Sequence, residues 1–132
     1  MYIDASLPPV PLKSVPEIAR HAETLGFDAL WGSETLHDPF LAGALAAEHT
    51  NRIAYGTAVA IAFARSPGNL AYTAWDLAQQ SNGRFILGLG TQVKAHIVRR
   101  FGMTWPDSVV GRLRRSFWGC APYGRPGRAE RH

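Results

Sequence analysis

Strand-like apolar runs begin near residues 2, 27, 52 and 84, and each is followed by a stretch of helical periodicity. That alternation limits the fold more than any other feature of the chain. Parallel strands cannot be joined by tight turns, and each crossover takes a dozen or more residues, which these intervals supply. Runs such as Phe85-Ile86-Leu87 are apolar on both alternations, as in a parallel sheet covered on both faces.

The strand candidates are Tyr2–Leu7, Phe27–Trp31, Arg52–Ile61 and Arg84–Leu89. Helix signals lie between them. Ser14-Val-Pro-Glu17 has the capping-box pattern, Val15, Ile18, Ala19, Ala22 and Leu25 follow at helical spacing, and Gly26 suits the end of that helix. Asp38-Pro39 and Ser66-Pro67 each read as an N-cap with proline in the first turn. The helix after Asp38 runs to about His49, and Asn82-Gly83 closes the helix after Ser66. A fourth helix is expected over Val93–Phe101.

The fold class is therefore α/β with about four βα units. Two architectures accommodate it: an open doubly wound sheet, or half of a (β/α)₈ barrel. In both, function collects at the carboxyl ends of the strands, here Asp4–Leu7, Gly32–Asp38, Thr57–Arg65 and Gly88–Lys94.

Charge separates two segments. The net charge of the 132-residue chain is +4. Residues 1–110 hold eight Lys+Arg and nine Asp+Glu, a net of −1, whereas 111–132 hold six Arg and one Glu, a net of +5. Residues 1–110 are read as the folded unit and 111–132 as a poorly ordered Arg/Gly/Pro-rich tail. A solvated end is preferred for that tail over phosphate binding, and a small α/β module with a nucleic-acid-binding tail is the least favoured function class. No apolar run spans a bilayer and no secretory pattern opens the chain, so a cytoplasmic protein without a membrane partner is expected. The one cysteine, Cys120, has no partner residue that would mark it as a nucleophile. No H-x-x-x-H metal-ligand spacing occurs, and no metal site is expected.

Gly88-Leu-Gly90 follows the last strand as the start of G-x-G-x-x-G would, but Val93 holds the third glycine position. No Gly-Lys-Ser/Thr follows either, which excludes a Walker-type phosphate loop.

Gly26-Phe-Asp-Ala-Leu-Trp31, Gly56-Thr-Ala-Val59 and Gly88-Leu-Gly-Thr-Gln-Val-Lys-Ala-His-Ile97 resemble the luciferase-like monooxygenases. Ser33-Glu-Thr-Leu-His-Asp-Pro-Phe40 and Ser66-Pro67 with Ala71-Tyr-Thr-Ala-Trp-Asp-Leu77 are similar to the branch that uses the deazaflavin coenzyme F420. The resemblance covers about residues 1–105 and implies the barrel, of which the N-terminal half is present. It implies a flavin-type ring at the strand ends, with F420 preferred over FMN, and hydride transfer or oxygen activation on an unknown small-molecule substrate. Where F420 enzymes often read Ser-Asp-His, this chain has Ser33-Glu34-Thr35, so Glu34 and His37 become the catalytic candidates. The resemblance further implies a cis peptide at Ala58–Val59. The cofactor-binding candidates are Ser33, Glu34, Thr57, Ala58, Val59, Gly90 and Thr91, with Lys94 and helix-start amides assisting at an anionic group. A truncated or frame-shifted product without activity is the competing expectation. Reading the DNA in other frames past codon 110 tests it. The open edges of a half barrel also favour association with further copies.

Overall fold

Four parallel strands lie side by side in chain order in the computed structural model, which describes residues 1–120. β1 (Asp4–Ser6) pairs with β2 (Ala29–Gly32), β2 with β3 (Ala54–Thr57), and β3 with β5 (Phe85–Ile86). Beyond β3 and β5 the same two segments pair again as β4 (Ala60–Ile61) and β6 (Leu89–Gly90). A doubly wound sheet reverses its strand order at a switch point. Here every strand adds on the same side of the previous one, and right-handed crossovers then place the helices on one face. The chain is a segment of a (β/α)₈ barrel, and strand order decides between the two architectures that the sequence pattern left open.

The two faces of the sheet are written in its register. Leu30, Tyr55 and Phe85 form one row across the strands and face the helices. Val15, Ala19 and Ala22 of α1 (Val15–Thr24) and Ala42 and Ala46 of α2 (Pro39–Glu48) are buried against that face. Ser6, Trp31, Gly56 and Ile86 form the alternate row, where Ile86 stays 44% exposed. Trp31 lies over Gly56, where an added Cβ would sit 2.3 Å from its ring, and donates from Nε1 to Asp4 at 3.0 Å.

Two helix starts follow their local signals. Asp38 has extended backbone, and its side chain accepts from the amides of Phe40 and Leu41 at 2.8 and 3.4 Å. Ser66 does the same for the amide of Asn69 at the start of α3 (Pro67–Gln80). Gly26, at φ +89°, and Gly83, at φ +81°, supply the left-handed residues after α1 and α3. The capping box at Ser14 does not form. Leu12–Ser14 is a 3₁₀ turn, so Ser14 is already helical at φ −89°, ψ −16°, and its hydroxyl makes no cap bond. A capping side chain needs an extended backbone to reach back to the helix amides.

Two further expectations are corrected. The third strand is not continuous over Arg52–Ile61 but breaks between Thr57 and Ala60. The segment expected to be irregular from residue 111 begins inside α5 (Val109–Cys120), which packs on α3. Residues 121–132 of the expected tail lie outside the described residues. The buried side of α5 includes Ser116 at 0% and Cys120 at 8% exposure, while Phe117 and Trp118 point outward. Its close approach to α3 runs through Gly119, where a Cβ would meet Pro67 at 3.2 Å. Among the described residues no helix is long and apolar enough to cross a membrane.

Polar side chains tie the amino ends of the strands. The Arg84 guanidinium donates to the carbonyls of Ser81, Ile53, Ala47 and Thr50 and to the Thr50 hydroxyl at 2.7–3.2 Å. The Glu23 carboxylate accepts from the amides of Asn51, Arg52 and Ile53, at 2.7–3.2 Å. Partial burial alone would push the Glu23 carboxyl up; the three amides and Arg52 outweigh it and hold it below the ordinary value. A group lowered in the folded state adds stability above its unfolded pKa and loses it as pH falls through the folded value. Glu23→Gln should therefore cost about 1 kcal/mol at neutral pH, kept small by partial solvation. Chemical denaturation at pH 7 and pH 3 checks this: the gap between variant and wild type should shrink at the lower pH.

Candidate functional site

The break in the third strand is a bulge. From Gly56 to Ala60 the chain advances four residues, while its partner advances three, from Ile86 to Leu89. One residue is extra, and an extra residue re-aims the side chains around it. The peptide bond between Ala58 and Val59 is cis, at the position the family resemblance implied. Ala58 and Val59 are exposed, Val59 to 45%.

Neighbouring strand ends grip this bulge. Ala58 donates to the Gly32 carbonyl at 2.8 Å, and Ala60 donates to the Gly88 carbonyl at 2.9 Å. The Thr57 hydroxyl donates to the Gly88 carbonyl at 2.8 Å and accepts from its amide at 2.9 Å. Thr57 is 1% exposed, so its side chain fastens strand to strand and presents nothing to a ligand. Gly88 lies so close that a Cβ would fall 2.0 Å from the Thr57 carbonyl oxygen. At Gly90 a Cβ would come within 2.6 Å of the Val59 side chain.

Glu34 binds the bulge from the β2 side. Its amide donates to the Val59 carbonyl at 3.3 Å, and its carboxylate accepts from the Ile61 amide at 2.7 Å. The same carboxylate takes a bidentate pair from Arg65, with Nη1 at 2.7 Å and Nη2 at 2.8 Å. The two side chains are 8% and 19% exposed. Arg65 also reaches Asp38 at 3.5 Å, donates to the Ile61 carbonyl and sits over the Phe40 ring. Burial alone would pull the Arg65 guanidinium down; its hydrogen bonds and charge contacts with Glu34 and Asp38 outweigh that and raise it.

Beside this pair opens a cleft of about 330 Å³ lined by Glu34, Leu36, His37, Asp38, Arg65 and Arg100, among others. His37 is exposed there and makes no hydrogen bond among the described residues. Arg100 donates to the Thr35 carbonyl and lines the same cleft. Ser33 and Thr35 line a separate small cavity of about 30 Å³ against Tyr55 and Pro39. There the Tyr55 hydroxyl donates to the Pro39 carbonyl at 2.7 Å, and burial, with Asp38 nearby, pushes the phenol up.

The structure therefore brings Glu34, Ala58, Val59 and Gly90 together. Thr91 stands off from the helix that was expected to frame it. α4 (Lys94–Arg99) is one short turn and a half, starting three residues later, with Gln92 between them in the left-handed region at φ 62°. Lys94 lines a hollow on α4 with Ala95, Val98 and Arg99. Cys120 is buried, which pushes its thiol up, as suits a core cysteine rather than a nucleophile. No group of three metal-ligating side chains occurs among the described residues.

Sequence reasoning named neither Arg65 nor Gly88 as site-forming. Arg65 carried a usable signal, since it is the only charged residue in Thr57–Arg65 and ends an apolar run. Its partner lies 31 residues away, which no local pattern shows.

The luciferase-like monooxygenase profile matches residues 3–114, and the chain belongs to that family. A 105-residue stretch is 50% identical to an uncharacterised protein of Mycobacterium tuberculosis, covering 80% of this chain and 31% of that one. An F420-dependent glucose-6-phosphate dehydrogenase of Amycolatopsis mediterranei is 30% identical over 117 residues, covering 79% of this chain and 35% of that one. The chain thus spans about a third of the length of these relatives. Among solved structures, the FMN-bound oxygenating constituent of 3,6-diketocamphane monooxygenase from Pseudomonas putida superposes at TM-score 0.76. It has 20% identity, with 89% of this chain and 38% of that one covered. The F420-dependent tetrahydromethanopterin reductase of Methanopyrus kandleri gives TM-score 0.67 at 25% identity, with 80% and 31% covered.

Gly88→Ala should lower stability by about 1–3 kcal/mol, because a methyl there meets backbone rather than a movable side chain. Gly68→Ala is the control, with open space around its Cβ in the first turn of α3, and should be neutral or stabilising. Thermal denaturation of the two variants beside wild type reads the contrast.

Proposed function

We propose that this chain forms the N-terminal part of a flavin-type cofactor site in a luciferase-like oxidoreductase. The observation that carries the reading is the exposed Ala58–Val59 bulge at the strand ends, gripped by Glu34 and flanked by Gly90. An apolar, backbone-rich ledge of this kind suits the flat face of an aromatic ring system, and Gly90 keeps the next strand end low beside it. Bound there, F420 or reduced FMN would supply hydride transfer or oxygen activation. F420 is the preferred cofactor, supported by the SETLHDPF and AYTAWDL stretches and by the name of the 30% identical relative.

The chain's own residues divide the remaining work. Ala58 and Val59 support the ring, Gly90 and Thr91 border it, and Ser33 and Glu34 close the β2 side. His37 is the group for proton exchange with a bound substrate. Histidine is the residue type suited to that near neutral pH, and His37 lines the cleft with no hydrogen-bond partner among the described residues. A complete barrel site draws on eight strand-end loops, and the described residues supply four. We therefore infer that substrate turnover needs further strands, supplied by additional chain or by another subunit.

Titration with oxidised FMN and with F420, followed by fluorescence, tests the reading. Saturable one-to-one binding of either supports it; no saturation with either sinks it. Val59→Asp sharpens the result. A carboxylate at this exposed position should change stability by less than about 0.5 kcal/mol. It should weaken cofactor binding by about tenfold or more, because the ring would have to desolvate the charge.

A further inference from the structure

Among the described residues, the hydrogen bond that anchors Val59 on the cleft side comes from Glu34. The Glu34 amide donates to the Val59 carbonyl, and its carboxylate accepts from the Ile61 amide, so one residue spans the segment that holds the extra residue. Glu34 is in turn oriented by Arg65. A bidentate guanidinium–carboxylate pair fixes the plane of the carboxylate as well as its position. The guanidinium is itself held on several sides: the Phe40 ring below it at 4.8 Å, the Ile61 carbonyl, Asp38, and the Glu34 carboxylate. Its backbone carbonyl accepts from Arg112 of α5 at 3.2 Å. Without Arg65 the nearly buried Glu34 carboxylate would lose its counter-charge, and the open cleft offers it water.

Resting on the cofactor reading above, we propose that Arg65 is a positioning residue that sets Val59 against the cofactor ring by way of Glu34. Glu34 then serves as a structural acceptor rather than a proton donor, since both of its oxygens already receive N–H groups. Arg65 reaches Val59 through that pair, while its contacts with the Ile61 carbonyl and Asp38 do not touch Val59, so its effect on the ligand should vanish once Glu34 is altered.

The test uses wild type, Arg65→Met, Arg65→Lys, Glu34→Gln and the double variant Glu34→Gln/Arg65→Met. Measurements are made at a temperature where far-ultraviolet circular dichroism shows every variant folded. Amide hydrogen exchange is read at Ile61 and Glu34, with the Tyr55 amide, bonded to the Arg84 carbonyl, as internal control. Arg65→Met should speed exchange at Ile61 and Glu34 by about tenfold or more while Tyr55 stays within about twofold. For oxidised FMN or F420, Arg65→Met should raise Kd by about tenfold and diminish the absorption shift of the bound cofactor. Arg65→Lys should restore part of both, and the double variant should match Arg65→Met. A folded Arg65→Met with wild-type exchange, Kd and spectrum overturns the proposal, as does additive loss in the double variant. Equal acceleration at Tyr55 also overturns it, by showing general loosening. Wild type that binds neither cofactor overturns the cofactor reading and the positioning role with it. The exchange contrast would then show only that Arg65 orders the strand end, which keeps the two failures distinguishable.

Discussion

Arg84 makes five hydrogen bonds with one guanidinium, and the amino ends of the central strands are assembled around it. The reason lies in parallel topology. Strands joined by helical crossovers share no tight turns, so the loops at their ends leave backbone groups without ladder partners. Buried backbone groups need partners from elsewhere in the chain. Arg84 satisfies the carbonyls where α2 hands over to β3. Glu23 satisfies the amides of the same loop from α1. A cation serves the acceptors and an anion the donors, and their combined effect is to fix β3 in register between β2 and β5.

The carboxyl ends use the same device for a different purpose. Glu34 and Arg65 again pair charged side chains with backbone groups, but around an irregular segment instead of an ordinary loop. The bulge turns Ala58 and Val59 outward, where an unbroken strand would have carried its alternation through them. Thr57 and Gly88 hold the other side of the irregularity closed. The polar groups nearest the bulge are thus occupied with holding backbone. What remains exposed there is apolar surface, with His37 unbonded among the described residues in the adjoining cleft. That is the division expected of a site whose chemistry resides in a cofactor, with the protein supplying orientation.

Much of the fold was legible because it is written in local signals. The strand starts, the caps at Asp38 and Ser66 and the left-handed endings at Gly26 and Gly83 all depend on residues adjacent in sequence. Ser14 misled because the same S-x-x-E pattern acts only when its first residue is extended, and the preceding 3₁₀ turn had already made it helical. α5 was missed for another reason. Helical periodicity is sought in large apolar residues, whereas this helix sinks Ser116 and Cys120 and leaves Phe117 and Trp118 outside. A glycine-mediated approach such as Gly119 on Pro67 is invisible to a hydrophobic pattern. In the site, the family resemblance located the bulge. It could not assign Glu34, because the role of that carboxylate is set by a partner distant in sequence.

Two carboxylates of the same type make that last point physical. Glu23 and Glu34 each accept backbone amides, and neither is distinguished in sequence from a solvated glutamate. What separates them is the counter-charge. Glu23 is partly in water, so the three amides suffice to stabilise it and no bidentate guanidinium is needed. Glu34 is almost removed from water, and one amide could not stabilise a carboxylate there without the Arg65 guanidinium. The deeper carboxylate is therefore the more exacting one, because its acceptor role fails if a single distant cation is lost. That dependence makes the strand end adjustable through Arg65, while the Glu23 end is held by several amides at once and has no comparable single point of control.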